Sequence, residues 1–267
     1  MNFNRMFAIF LRQFYLIQGS FTRVIPLFAW VAIDIVLWGF ITKYLNSVSG
    51  SGVNFVPSLL GAVLLWDFLT RVMQGVSMAF LEDVWTRNFL NVFASPLETS
   101  EYLGGLVLSS IATSMVGLIV MLSIVTGVFG LSFATYGLMF LPFMGILFLF
   151  GISLGIFATA VVLRLGPAAE WFIWPIPAMI SPFAGVFYPV SVLPSWMQIV
   201  SRCLPPSYVF ESMRAIVSGH EVASSEILIG LALTVFYFIL ACLFFRRTYR
   251  FAVQTGLLAR YSAETVT

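Results

Sequence analysis

The stretch LPFMGILFLFGISLGIFATAVVL, residues 141–163, runs for 23 residues without one charged side chain. As a helix it is about 35 Å long, enough to cross the roughly 30 Å hydrocarbon core of a bilayer. The pattern recurs along the chain. Apolar runs cover about Val24 to Ile41, Val56 to Phe80, Tyr102 to Phe129, Tyr136 to Leu163 and Ile227 to Phe245, and one more starts near Trp171 and meets a group of prolines. Spanning strands would alternate apolar and polar residues. These runs are continuous, so the spans are helical. Only 9% of residues are charged, where soluble domains carry about a quarter. Mean hydropathy is +1.01. The expected fold is an all-α integral membrane protein with six transmembrane helices, in a single domain over residues 1–267.

Arginine and lysine give the orientation. With the N-terminus inside, the cytoplasmic segments hold Arg5, Arg12, Arg23, Arg87, Arg164, Arg246, Arg247, Arg250 and Arg260. The outer segments hold Lys43, Arg202 and Arg214. This bias and the even number of spans place both termini in the cytoplasm. No cleavable signal peptide is expected, because Arg5 and Arg12 interrupt the first apolar residues. Phe3, Phe7, Phe10, Phe14 and Ile17 share one helical face, with the arginines nearly opposite. Residues 1–20 are therefore expected as an amphipathic helix lying in the inner interface.

Between the second and third spans lies LEDVWTRNFLNVFASPLETSEYLGG. Trp85, Phe89, Val92 and Phe93 form an apolar stripe on a short helix. Ser95, Pro96 and Glu98 then read as N-cap, first position and third position of the next helix. The short helix is either a linker lying in the interface or a docking knob for a cytoplasmic partner. Gly105, Ser109, Thr113 and Gly117, and likewise Gly151, Gly155 and Thr159, recur four apart. Small residues at that spacing let helices approach closely.

Seven of the twelve prolines fall between Pro175 and Pro206. Proline removes a backbone donor, and lipid offers no water to a freed carbonyl. One straight lipid-facing helix is therefore excluded. The expectation is a fifth span to about Phe187 and a turn at Tyr188-Pro189. Two short helices follow, one after Pro194 with Trp196, the other starting at Pro205-Pro206 with Tyr208. Gly219 lies past the end of the second. Together, residues 188–220 make an outer re-entrant hairpin between spans five and six. Glu211 and Arg214, three apart, can pair on one face.

Asp34 sits within the first span, and Asp67 and Arg71 lie four apart in the second. A charge at mid-membrane costs about 2.5–3.5 kcal/mol on insertion scales, so these groups should face protein or water. They are either structural contacts between helices or polar contacts along a translocation pathway. Glu82 and Asp83 close the second span, where they are candidates to meet a basic cytoplasmic partner. His220 is the only histidine, and no metal site is expected. Cys203 and Cys242 read as unpaired small apolar residues. No nucleophile–base constellation for a membrane enzyme is present.

The order of these features resembles the type-2 permease family of ATP-binding-cassette (ABC) transporters. The likeness is best at NVFASPLETSEYLGG and at GVFYPVSVLPSWMQIVSRCLPPSYVFESMR, and it extends over essentially the whole chain. The resemblance implies the transmembrane subunit of an exporter, with two such chains, expected as a homodimer, seated on two copies of a separate ATPase subunit. It makes residues 82–95 the coupling helix, with Glu82, Asp83, Trp85, Arg87 and Phe89 as its contacts. The outer hairpin, with Pro189, Pro194, Trp196, Pro205, Pro206, Tyr208, Glu211 and Arg214, would help cap the pathway. The only lysine, Lys43 in ITKYL, follows no glycine-rich turn, so no P-loop exists on this chain. The chain is thus expected to be no enzyme by itself and to need no cofactor, with ATP and Mg on the partner. The expected location is a bacterial inner membrane, and no nucleic-acid partner is expected. The cargo expected is an amphiphilic cell-envelope glycan or lipid. Alternatives are a drug or natural-product efflux permease of the same family, and a proton-coupled secondary transporter using Asp34 and the Asp67–Arg71 pair. Against the last, no inverted repeat is visible.

Overall fold

The computed structural model describes residues 2–19, 21–48, 56–86, 92 and 95–256, and every regular element among them is helical. Helix α1 spans Phe3–Gln18 and α2 Phe21–Val48. A single π turn, Val56–Leu60, feeds α3, Gly61–Trp85. Helix α4 covers Thr99–Phe129. A 3-10 segment, Phe133–Met139, leads into α5, Phe140–Leu165. The proline-rich region gives a 3-10 segment Pro167–Phe172, then α6 Pro175–Ala184, α7 Ser195–Arg202 and α8 Pro205–Val217. Helix α9, Ser224–Gln254, completes the bundle.

Four segments are long and apolar enough to cross a membrane: Val56–Trp85, Thr99–Phe129, Phe133–Leu165 and Ser224–Gln254. Most of the apolar length of α3 and α5 is buried, whereas only a minor share of that of α4 and α9 is. So α3 and α5 form the centre, with α4 against α3 and α9 against α5. Glycine allows the central contact. A Cβ on Gly151 would lie 2.8 Å from the Leu69 carbonyl oxygen, and one on Gly155 would lie 2.8 Å from that of Met73. The small-residue spacing read from the sequence is thus the α3–α5 seam.

The expected fifth span does not form as one helix. Ten residues of α6 cover only about 15 Å, half a hydrocarbon core. Even so, the chain passes from one end of the bundle to the other here, using the 3-10 segment and α6 in series. At one end the Trp85 indole N–H donates to Glu170 at 2.7 Å. At the other, Phe187 stacks on Trp38 at 4.9 Å between ring centres. The helix stops at Gly185, whose φ of +68° puts it in the left-handed region.

Broken backbone survives here because hydroxyls replace the lost donors. Pro182 gives no N–H to the Ala178 carbonyl, and the Ser181 hydroxyl donates to it instead at 3.1 Å. The Tyr188 hydroxyl donates to the Pro182 carbonyl at 2.9 Å. Prolines 205 and 206 likewise offer no N–H to the carbonyls of Ser201 and Arg202, although the Leu204 N–H reaches Ser201 at 2.9 Å. The Ser207 hydroxyl reaches the Ser201 carbonyl at 2.5 Å, Tyr208 that of Arg202 at 2.9 Å, and Tyr237 of α9 that of Cys203 at 3.1 Å. Burial raises the Tyr208 phenol above its ordinary range, which keeps it a donor.

The start of α4 differs from the sequence expectation. The helix begins at Thr99 with Glu98 as N-cap, three residues later than Ser95. The Ser95 hydroxyl turns back to the Val92 carbonyl at 2.5 Å and so caps nothing. The Glu101 carboxylate, at the third helical position, accepts the Glu98 N–H at 3.0 Å.

The tightness of the α3–α5 seam sets a test. Gly155→Leu should destabilise the detergent-purified protein by about 1–3 kcal/mol or more through overpacking. Gly145→Leu, at a position with nothing within 4 Å of an added Cβ, should leave the thermal midpoint near its starting value.

Candidate functional site

Three polar assemblies interrupt the apolar bundle. The first locks α1 onto the end of α3 and the start of α4. The Arg12 guanidinium pairs with Asp83, and the Tyr102 hydroxyl donates to the other carboxylate oxygen of Asp83 at 2.7 Å. The Gln13 side chain donates to the Ala79 carbonyl at 3.0 Å. Two turns back along α1, Arg5 lies 3.4 Å from Glu101, which also accepts the Asn2 N–H at 2.6 Å. Helix α1 approaches closely because α4 offers glycine there: a Cβ on Gly105 would lie 2.5 Å from Ile9 Cβ. Away from this contact, α1 exposes Phe3, Phe7 and Phe14, in a ladder of rings that runs through Phe10.

This assembly separates the residues expected to meet a partner. Asp83 is 1% exposed and turned inward between Arg12 and Tyr102, so it is no surface charge for another protein. The reason is tertiary: its cation comes from a helix 71 residues earlier. Glu82 is half-buried beside it. Trp85 is 47% exposed and tied to Glu170, at the entry to the broken crossing. Arg87 and Phe89 lie outside the described residues, as does half of the expected 82–95 helix.

The second assembly is a polar node inside the bundle. The Asp34 carboxyl of α2 faces that of Asp67 on α3, and Asp67 interacts with Arg71 one turn on. The Arg71 side chain lies against Gly117 of α4, where a Cβ would come within 1.9 Å of its Nε. On the adjoining turns, Asp67 Oδ2, Thr70 Oγ and Ser114 Oγ are buried without a hydrogen-bond partner among the described residues. Asp34, Asp67 and Arg71 are thus brought together from two helices.

The third assembly fixes the turn that follows α6. The Glu211 carboxylate accepts the Val190 N–H at 2.8 Å and pairs with Arg214 at 2.7 Å. Arg214 in turn donates to the Val186 carbonyl at 3.4 Å. The side chain at position 185 must be absent, since a Cβ would lie 2.9 Å from Val190 Cγ2 and 3.2 Å from Arg214. Pro189 precedes a short 3-10 turn, Pro194 caps α7, and Pro205 and Pro206 open α8. Trp196 is exposed, its ring edge-on to Phe183.

An N-terminal helix, long apolar helices and, near the C-terminal end, short proline-started helices with a Glu-x-x-Arg pair follow one another along the chain. A model of the ABC-2 type transporter family matches residues 5–217, from α1 to the end of α8. The chain belongs to the ABC-2 type transporter family. It is a membrane permease of an ABC transporter and works with an ATP-binding subunit. No characterised protein matches it.

Two residues of this ABC-2 permease escaped sequence reasoning. Glu101 gathers Asn2, Arg5 and the α4 cap. Its signal was present, as an acid three residues past the true N-cap, but the eye is drawn to Ser95-Pro96. Glu170 had no local signal, because its partner Trp85 is 85 residues away.

The clamp makes a quantitative prediction. Asp83→Ala leaves Arg12 without its anion and should lower the stability of the purified permease by about 3–5 kcal/mol. Tyr102→Phe should lower it by about 1 kcal/mol. Adding Arg12→Ala to Asp83→Ala should cost less than the two single losses summed. Strict additivity in thermal unfolding would show that the groups do not interact.

Proposed function

We propose that this chain is the permease subunit of an ATP-driven exporter, acting as a homodimer on two ATPase subunits. The observation that carries the proposal is the family match from α1 to α8. The bundle supports it by building a rigid corner beside the segment expected to receive the ATPase. Residues 82–95 leave α3 just after Asp83 and return through the Glu101-capped start of α4, so both flanks are bonded to α1. The Trp85–Glu170 bond adds a link to the broken crossing. A push at Trp85 then reaches the 3-10 segment through Glu170, and one at Asp83 reaches α1 and α4 through Arg12 and Tyr102.

The remaining reading follows the same line. The topology has six crossings, α2 and the broken segment supplying the two beyond the four long apolar segments. Both termini are cytoplasmic, as the arginine bias indicates. Helix α1 lies in the interface with its phenylalanine ladder toward lipid. Residues 188–220 dip into the outer leaflet as a re-entrant hairpin. The membrane is a bacterial inner membrane. Exposed Trp30, Ile33, Leu37 and Phe40 on α2 suit burial against a second permease chain. ATP and Mg belong to the ATPase, because this chain carries no P-loop. The cargo is an amphiphilic cell-envelope glycan or lipid, and a drug is the alternative within the family.

One observation favours a second reading. The Asp34 and Asp67 carboxyls meet beside Arg71 inside the bundle, which suits a proton-coupled carrier. Reconstitution separates the two. Transport in vesicles that needs the ATPase subunit and ATP supports the exporter, while transport by the chain alone under an ion gradient supports the carrier.

Two expected outcomes test the coupling and the topology. Trp85→Ala should reduce capture of the ATPase subunit at least about tenfold, a loss in the range of an exposed aromatic anchor, while the permease keeps its thermal midpoint. Glu170→Gln should leave capture intact and lower transport-linked ATP hydrolysis; equal effects of both substitutions on capture would make Glu170 part of the docking surface. Ser195→Cys should react with a membrane-impermeant thiol reagent from outside intact cells. Reaction from the inside only would invert the topology.

A further inference from the structure

We propose that the C-terminal end of α9 binds the headgroup of an anionic phospholipid. Ile227 to Phe245 is free of charge, and these residues cover about 28 Å, close to a hydrocarbon thickness. Arg246, Arg247 and Arg250 follow at once. They therefore stand at the depth of the lipid phosphates.

The arginines continue a lipid-facing stripe. Val235, Phe236, Ile239, Leu240 and Leu243 are exposed along α9 at helical spacing. The next positions on that face are Arg246, Arg247, Arg250 and Gln254, which line a groove with Leu243 and Phe251. All three arginines are exposed. No ion pair or hydrogen bond engages their guanidinium groups among the described residues. A fourth cation is fixed beside them: the Arg164 guanidinium lies 5.8 Å from the centre of the Phe251 ring. Charge and apolar surface thus meet in the order that a phospholipid presents them. Guanidinium groups bind phosphate oxygens in paired hydrogen bonds, and acyl chains fit the stripe above. A soluble phosphate would use only the arginines, and a folded protein partner would have no need of the stripe.

The test uses the purified full-length permease in neutral detergent, by native mass spectrometry and thermal unfolding. Phosphatidylglycerol should be retained and should raise the midpoint. Phosphatidylcholine and free glycerol phosphate should do neither. Neutralising each arginine should weaken phosphatidylglycerol binding about fivefold, so that R246Q/R247Q/R250Q binds about 100-fold more weakly. The midpoint of that variant without added lipid should match the wild type. Equal retention of phosphatidylcholine, binding of glycerol phosphate as strong as that of the lipid, or unchanged retention by the triple variant would each overturn the proposal. So would loss of the ATPase subunit by the triple variant with its lipid retained, which would mark the patch as a protein interface.

Discussion

A carbonyl without a donor has nowhere to turn in an apolar bundle, and most of this chain's architecture answers that one constraint. Continuous helices satisfy it along α3, α4, α5 and α9, where every interior donor meets an acceptor one turn away. The proline-rich region violates it repeatedly and is repaired each time from nearby. Ser181, Tyr188, Ser207, Tyr208 and Tyr237 bring hydroxyls to the carbonyls of Ala178, Pro182, Ser201, Arg202 and Cys203. The Val190 N–H, facing the same problem from the donor side, is met by Glu211. The prolines therefore bend the chain without leaving it unsatisfied, and the bend holds its shape. A charged clamp at Glu211 and Arg214 is affordable there because both side chains keep some exposure.

Packing follows a second rule. Lipid gives no hydrophobic drive between apolar helices, so contact must come from close fit. Gly151 and Gly155 supply it at the α3–α5 seam, and Gly105 does so where α1 meets α4. Where fit runs out, polar groups take over. Arg12, Asp83 and Tyr102 hold α1 in place at the end where α3 finishes, and Arg71 fills the space that Gly117 leaves on α4. Removal of one member of such a set is costly because the others stay buried.

Much of this was legible in the sequence, and the boundary is physical. Local rules carried the short helices after Pro194 and at Pro205-Pro206, the Glu211–Arg214 pair and the phenylalanine face of α1. Each depends on residues within a few turns of one another. The failures need distant partners. Glu82 and Asp83 look alike at the end of an apolar run, but α1 returns to bury only the second. The cap lies at Glu98 and not Ser95 because the Glu98 and Glu101 carboxylates accept the N–H groups of the helix start, while the serine hydroxyl donates to Val92. The fifth apolar run read as one span to about Phe187 because composition counts apolar residues and does not register that the 3-10 segment ends at Phe172 and α6 already at Ala184, before Gly185 at φ +68°.

These breaks bear on how force would travel. A straight helix between Glu170 and Phe187 would transmit an axial push as a rod. The actual path has a 3-10 segment, a ten-residue helix and a left-handed glycine in series, so it is not one rod. Helices α3 and α5 are continuous, and their seam is tighter than a single methyl group would tolerate. Movement begun at Trp85 would therefore act first on residues 167–185, through Glu170, while the centre stays fixed. The same crossing ends at Phe187 against Trp38 of α2, the helix that carries Asp34. A shift in the broken segment is in this way coupled by direct ring contact to the helix that supplies Asp34, one of the two carboxyls.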